Sequence, residues 1–400
     1  MLPEFAGRVM ATSHSNSKQS GDLGSARGRA GRPVMVMIVV VALLVVGVGV
    51  AVVVTKGSPT RAAASATSVA KGTPAADANQ PLTLVTTSPA DTTTGIPSDA
   101  SISVQFSAPL SPSSPQPTLT PAVAGSWQLL TPTTFVFVAT APFVPTSTET
   151  VTIPGAVAST SGKTLGTDTS VHFTVADGGV LRLQQLLATL GYLPLSFTPA
   201  RPLVAPQEAA QAQEGVFAWK TSEPASLQSL WTEGSTNTIT TGALMNFQNK
   251  QNMKTDGVAG PAVWAALLSD VGAGTVNTAP YNYVYVSLTV PETTTVYSNG
   301  AAVYSTLSNT GVPGAETAAG TFPVYVRYTT TTMTGTNLDG SKYSDPGIPW
   351  VSYFNGGDAL HGFIRSSYGT PQSLGCVEMP FSNAAVVYPY TPIGTLVTVA

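Results

Sequence analysis

The sequence predicts a multi-domain chain: an N-terminal transmembrane helix, a β-sandwich, a small three-helix domain and a C-terminal mainly-β domain. Three observations lead there. Val34 to Val54 runs without a charged residue. From residue 82 to 177, short stretches alternate apolar and polar side chains between Pro and Gly breaks. Near residue 178 the apolar period lengthens to that of a helix, and from residue 281 the alternation returns. Periods of two and of 3.6 residues are the marks of a half-buried strand and a one-sided helix.

Composition sets bounds. A chain of 400 residues allows roughly two to four domains. Charged residues make up 9%, against the usual figure of about 25%, and the net charge is −3. There is no basic excess to hold a nucleic acid. The chain has one cysteine, Cys376, so no intrachain disulfide can form and stability must come from packed cores.

Residues 1–33 are polar and rich in Gly and Ser, with Lys18, Arg27, Arg29 and Arg32, and are expected to be a disordered tail. His14 lies in this tail and is assigned no function. A helix over residues 34–54 would be about 32 Å long, which matches a hydrocarbon core of about 30 Å. The basic residues precede it, so the tail should be cytoplasmic and the C-terminal bulk should face outward from the membrane. Ala62-Ala63-Ala64 resembles a signal-peptide cleavage site, but the apolar run exceeds the 7–15 residues or so of a cleaved signal. An uncleaved signal-anchor is the expectation. Residues 55–81 hold few large side chains and read as a linker.

Residues 82–177 contain Ser101–Phe106, Thr134–Val138 and Val171–Val175, each alternating as a sandwich strand should. His172 alternates with apolar neighbours, which turns it to solvent or a sheet edge. No Cys, His or paired carboxylate accompanies it as a metal site would require. In residues 178–270, Leu183, Leu186, Leu187 and Leu190 fall on one helix face, stopped by Gly191-Tyr192 and Pro194. Ala243, Leu244 and Phe247 begin a second helix, and Pro261 opens a third with Val263, Trp264, Leu267 and Leu268. Trp219 and Trp231, in the stretch between, could grip a glycan, but packing is the favoured reading. Residues 281–400 show strands at Tyr283–Leu288, Thr295–Ser298, Pro323–Tyr328 and Leu396–Val399. The Thr/Gly-rich stretch 329–349 reads as a mobile flap.

The chemistry concentrates in one stretch. Cys376 and His361 are fifteen positions apart. A thiol with a pKa of about 8.5 is only about 3% thiolate at pH 7, and the thiolate is the attacking species. A neighbouring imidazole can take the proton, and the pair can then attack an amide carbonyl to form a thioester. Backbone N–H groups of Gly375 and Cys376 are candidates for an oxyanion hole. Alone, a Cys and a His are weak signals; a lone Cys is more often buried and inert.

Neighbouring residues add specificity. Ser373-Leu374-Gly375-Cys376-Val377-Glu378-Met379, preceded by His361-Gly362, resembles the signature of L,D-transpeptidases, the YkuD-like catalytic domain. Thr317–Phe322, Trp350, Tyr353-Phe354 and Ile393–Val399 fit the frame of that family in order. Two positions depart: the family's His before the Cys is Leu374, and its Arg after the Cys is Glu378. Ser88–Asp91 with Gly95-Ile96-Pro97 resembles the first strand of bacterial Ig-like domains. Leu183–Tyr192, Phe247-Gln248 and Asp256–Pro261 resemble the peptidoglycan-binding helical domain.

The resemblance implies a cell-envelope enzyme that cross-links peptidoglycan stem peptides through a Cys376 thioester, with His361 as general base and acid. It implies no metal and no cofactor, and acylation by carbapenem-type inhibitors. Ser373, Tyr353, Trp350 and Arg365 are the substrate-side candidates. Two alternatives stand beside it. One is a carboxypeptidase or hydrolase on the same stems, with water as acceptor. The other is a catalytically weak wall-binding protein, which Leu374 and Glu378 keep open.

Overall fold

The computed structural model describes residues 80–400. The expected tail 1–33, the expected transmembrane helix 34–54 and residues 55–79 of the expected linker lie outside the described residues. Among the described residues, no helix is long and apolar enough to cross a membrane.

The first module is a sandwich of two four-stranded sheets. Its strands are β1 (Leu84–Ser88), β2 (Thr93–Ile96), β3 (Ile102–Phe106), β4 (Thr118–Thr120), β5 (Gly125–Thr131), β6 (Thr134–Ala139), β7 (Thr148–Ile153) and β8 (Thr169–Val175). One sheet runs β1-β3-β6-β5 and the other β2-β8-β7-β4. Alternation turns Ile102, Val104 and Phe106 of β3 inward against Val171, Phe173 and Val175 of β8. Each such buried side chain contributes about 1.5–3 kcal/mol. His172 is exposed, as expected, with Nδ1 3.0 Å from Thr150 Oγ1 on the neighbouring strand.

The second module holds α1 (Gly179–Thr189), a hairpin of β9 (Leu195–Pro199) and β10 (Gly215–Trp219), the short α2 (Ala225–Gln228), α3 (Thr238–Lys250) and α4 (Pro261–Ala273). The Asn237 side chain caps α3 by accepting the Thr240 N–H at 2.9 Å. Pro261 opens α4 and Gly274, at φ 68°, ends it. The hairpin is absent from the sequence reading. Its Phe217 packs edge-on to Trp231 at 5.3 Å, and both lie against the helical core with Trp219, so the tryptophans fill space between hairpin and helices.

That helical core does not stop at the module. Tyr283 and Leu396 of the C-terminal domain are buried in the same cluster as Leu187, Phe247 and Trp264. Gly242 of α3 and Gly394 meet backbone to backbone; a Cβ on either would collide with the other's carbonyl oxygen.

The C-terminal domain contains β11 (Asn282–Ser287), β12 (Thr293–Ser298), β13 (Ala301–Leu307), β14 (Gly320–Pro323), β15 (Val326–Thr336), β16 (Lys342–Asn355), β17 (Asp358–Gly362), β18 (Val377–Met379), α5 (Phe381–Val387) and β19 (Leu396–Val399). One sheet runs β13-β12-β11-β19-β14 and the other β15-β16-β17-β18. Val284, Val286 and Val397 of the first meet Phe354, Leu360 and Val377 of the second, with Ala384 and Val387 of α5.

Two expectations need correction here. The strand expected over 323–328 is broken after Pro323, because the chain leaves one sheet there and enters the other at Val326. The stretch expected to be a loop-like flap, 329–349, is mostly a long paired hairpin, in register from Val326↔Tyr353 to Thr336↔Lys342 with one irregularity near Met333. Its threonines are β-branched and suit a pleated strand, so the composition that looked like a loop codes for strands.

Candidate active site

β17 and β18 pair in parallel, and a parallel pair needs a crossover of a dozen or more residues. Residues 363–376 supply it, between the end of β17 at Gly362 and the start of β18 at Val377. That geometry explains the spacing of the two reactive residues. His361 lies one residue before the end of β17, and Cys376 lies one residue before β18. The register sets His361 opposite Glu378 and Leu360 opposite Val377. Side chains alternate along a strand, so His361, Glu378 and Cys376 share one face while Leu360 and Val377 enter the core. His361, Cys376 and Glu378 line one cleft of about 400 Å³, which the β15–β16 hairpin walls with Met333, Tyr343 and Asp345.

The turn that carries the sulfur is tightly held. Ser373 Oγ donates to Cys376 O at 2.6 Å and accepts the Gly375 N–H at 3.2 Å. Thr317 Oγ1 donates to the same Cys376 carbonyl at 3.5 Å. Gly375 has φ 112°, and a Cβ there would stand 2.6 Å from Asp358 Oδ1. Asp358 ends a tight turn, Asn355–Asp358, whose Gly357 carbonyl accepts the Cys376 thiol at 3.6 Å.

The imidazole is buried, at 2% exposure, and its Nδ1 lies 3.0 Å from Gly362 O. A carbonyl can only accept, so in the neutral ring Nδ1 carries the hydrogen and Nε2 the free lone pair. Burial lowers the His361 pKa below its ordinary 6.5, with the Gly362 carbonyl opposing that shift. Burial also pushes the Cys376 thiol up, to about 12, against a hydrogen bond from Ala359 N–H and with the Asp358 and Glu378 carboxylates adding to the rise. The resting thiol and the resting ring are therefore both neutral.

Glu378 is 6% exposed at its side chain. Its two oxygens accept Arg365 Nε at 2.7 Å and Nη2 at 2.8 Å, a bidentate pair. Those bonds raise the Arg365 pKa. The guanidinium also lies over the Phe363 ring, 4.7 Å from its centroid, and Phe363 sits edge-on to His361. The positive charge expected to be lost at position 378 thus returns from position 365, but already paired.

The other sequence candidates fall differently. Ser373 is buried and committed to the turn, so it is no substrate contact. Gly375 spends its N–H on Ser373 Oγ, which leaves Cys376 as the remaining oxyanion candidate of the two. Tyr353 packs in the cluster that includes Cys376, with Tyr325 and Tyr328 against it. Trp350 does not reach the cleft: it packs on Tyr388 at 5.5 Å, because the β16 backbone there takes φ 59°. Leu374 lines the cleft and is 38% exposed. Asp345, Asp358 and Tyr343 escaped the sequence reading. Only Asp358 had a signal, the Asn-Gly-Gly-Asp turn just before His361. Among the described residues, no group of three His, Cys, Asp or Glu is placed to hold a metal ion.

Three segments match family models. Residues 281–399 match the L,D-transpeptidase catalytic domain, residues 78–175 a bacterial Ig-like domain, and residues 232–267 a putative peptidoglycan binding domain. Similar solved structures include an L,D-transpeptidase from Mycobacterium smegmatis, at 12% identity over 80% of this chain and 100% of that one, with a TM-score of 0.28. Another is L,D-transpeptidase 3 from Mycobacterium tuberculosis in complex with a faropenem-derived adduct, at 13% identity over 79% and 97%, with a TM-score of 0.28. A third is the catalytic domain from the E. faecium L,D-transpeptidase acylated by ertapenem, at 26% identity over 31% and 100%, with a TM-score of 0.28. No curated protein matches the chain.

Proposed function

We propose that this chain, with its L,D-transpeptidase catalytic domain and its Ig-like and peptidoglycan-binding domains, cross-links peptidoglycan stem peptides through a thioester on Cys376. The observation that carries the reading is the shared cleft face of Cys376 and His361, with the ring's Nδ1 pinned to Gly362 O. In this reading the carbonyl after the third residue of a tetrapeptide stem comes to the sulfur. His361 Nε2 takes the thiol proton as the C–S bond forms, and then gives that proton to the departing D-alanine amine. The thioester next meets a neutral amine of a second stem; the C–N bond forms, the C–S bond breaks, and His361 takes a proton from that nitrogen and passes it to the sulfur. The neutral resting pair fits such a sequence, because proton transfer is coupled to attack and needs no stored thiolate.

The uncharged run 34–54, with its basic residues ahead of it, supports anchoring in the cell membrane with the catalytic cleft toward the wall. Intact-protein mass spectrometry after incubation with a carbapenem tests the chemistry. The expected result is one covalent adduct on wild type and none on Cys376→Ala. An unmodified wild-type protein would overturn the enzyme reading and favour a wall-binding role.

A further inference from the structure

The charges along the cleft do not balance. Three charged side chains line it: Arg365, Glu378 and Asp345. Arg365 and Glu378 cancel one another in their bidentate pair. His361 has its pKa held below the ordinary value and the Cys376 thiol is held protonated, so neither adds charge at neutral pH. One plus and two minus leave a single negative charge, on Asp345. Asp345 lies on β16 directly opposite Met333 of β15. Cross-strand partners point to the same face, and Met333 also lines the cleft, so the carboxylate faces inward. Among the described residues it forms no ion pair and no side-chain hydrogen bond.

We infer that Asp345 draws a primary ammonium into this cleft, and that it biases the thioester toward an amine acceptor over water. The inference rests on the transpeptidase reading and adds the selection of the second substrate. An alkyl amine with a pKa of about 10.4 arrives at pH 7 as a cation. A partly desolvated cleft whose one guanidinium is already paired would penalise that cation; an uncompensated carboxylate removes the penalty. Water carries no charge and gains nothing from it. The protons balance as follows. The ammonium first releases one proton to solvent, and the neutral nitrogen attacks the thioester carbonyl. The nitrogen's second proton passes to His361 Nε2 and from there to the departing sulfur. The products are one amide, one thiol and one proton in solution. An acceptor with a carboxylate beside its amine is disfavoured for the same reason that a plain ammonium is favoured.

The test compares wild type, Asp345→Asn and Asp345→Glu in the full chain. Each is loaded with a tetrapeptide stem, and the amide and hydrolysis products are counted by mass spectrometry. One acceptor is Nα-acetyl-lysinamide, a cation at pH 7; the other is hydroxylamine, which is neutral there. Imipenem acylation is measured in parallel. The expected result for Asp345→Asn is an amide-to-acid ratio about tenfold lower with the cationic acceptor and unchanged with hydroxylamine. Asp345→Glu should keep most of the wild-type ratio, and added salt should narrow the difference. The melting temperature should stay at the wild-type value, which reports that the fold is intact. An unchanged ratio in a variant that melts as wild type and still takes up imipenem overturns this inference alone. A wild type that takes up no imipenem overturns the transpeptidase reading, and this inference with it.

Discussion

Cys376 donates its thiol hydrogen to the Gly357 carbonyl, and burial raises its pKa to about 12. A sulfur in that state is a poor nucleophile toward small reagents, since only the thiolate reacts. The alkylation rate with iodoacetamide in the free protein is therefore expected to climb steadily from pH 7 to pH 10; a plateau by pH 8 would contradict this. Asp358→Asn removes one of the carboxylates that raise the thiol, so its profile should move to lower pH. The ring sets the other limb. His361 must be neutral to act as a base, and its pKa lies below 6.5. The acid limb of kcat/KM should then fall below pH 6.5, with activity lost as pH drops through the folded value. Gly375→Ala should abolish acylation, because its added carbon must occupy a left-handed backbone 2.6 Å from the Asp358 carboxylate. At this scale the sequence marked the candidate thiol and imidazole. It could not reveal their protonation, which depends on desolvation by residues far away in the chain.

The crossover from β17 to β18 turns a sequence spacing into a site. Its fifteen-residue interval from His361 to Cys376 was visible in the letters, but the reason for the interval is the parallel pairing, which no local pattern encodes. Within it, Arg365 reaches back to Glu378, and a substitution that read as a lost positive charge is a relocated one. Arg365→Ala should strand the Glu378 carboxylate in a buried position and lower stability by about 2–4 kcal/mol, measured by urea denaturation. Arg365→Lys should recover only part, because an ammonium cannot make the paired contact. The β15–β16 hairpin was misjudged as a loop for a different reason. Thr and Gly fit both turns and exposed strands, and the cross-strand register that separates them is a tertiary property.

Across the described residues, changes of apolar period separate strand-rich from helical stretches in the sequence, whereas the joints between modules leave no such mark. Nothing in the sequence announces that Gly242 of α3 and Gly394 ahead of β19 touch, or that Tyr283 and Leu396 complete the helical core. The glycine contact joins residues more than a hundred positions apart. Such packing should make the helical and catalytic modules unfold as one unit. Gly242→Val should drive the two backbones apart and cost about 1–3 kcal/mol. Calorimetry should register this as a lower Tm of one shared transition, and two separate transitions in wild type would argue against the shared core. The shared core has a mechanical meaning as well. A wall strand gripped by the helical module would be held at one offset from the sulfur while the shared core stays closed. The protein would then act as a gauge, sampling stems at a set distance along the strand, and lengthening the Gly274–Pro280 connector would leave that gauge unaltered as long as the core stays closed.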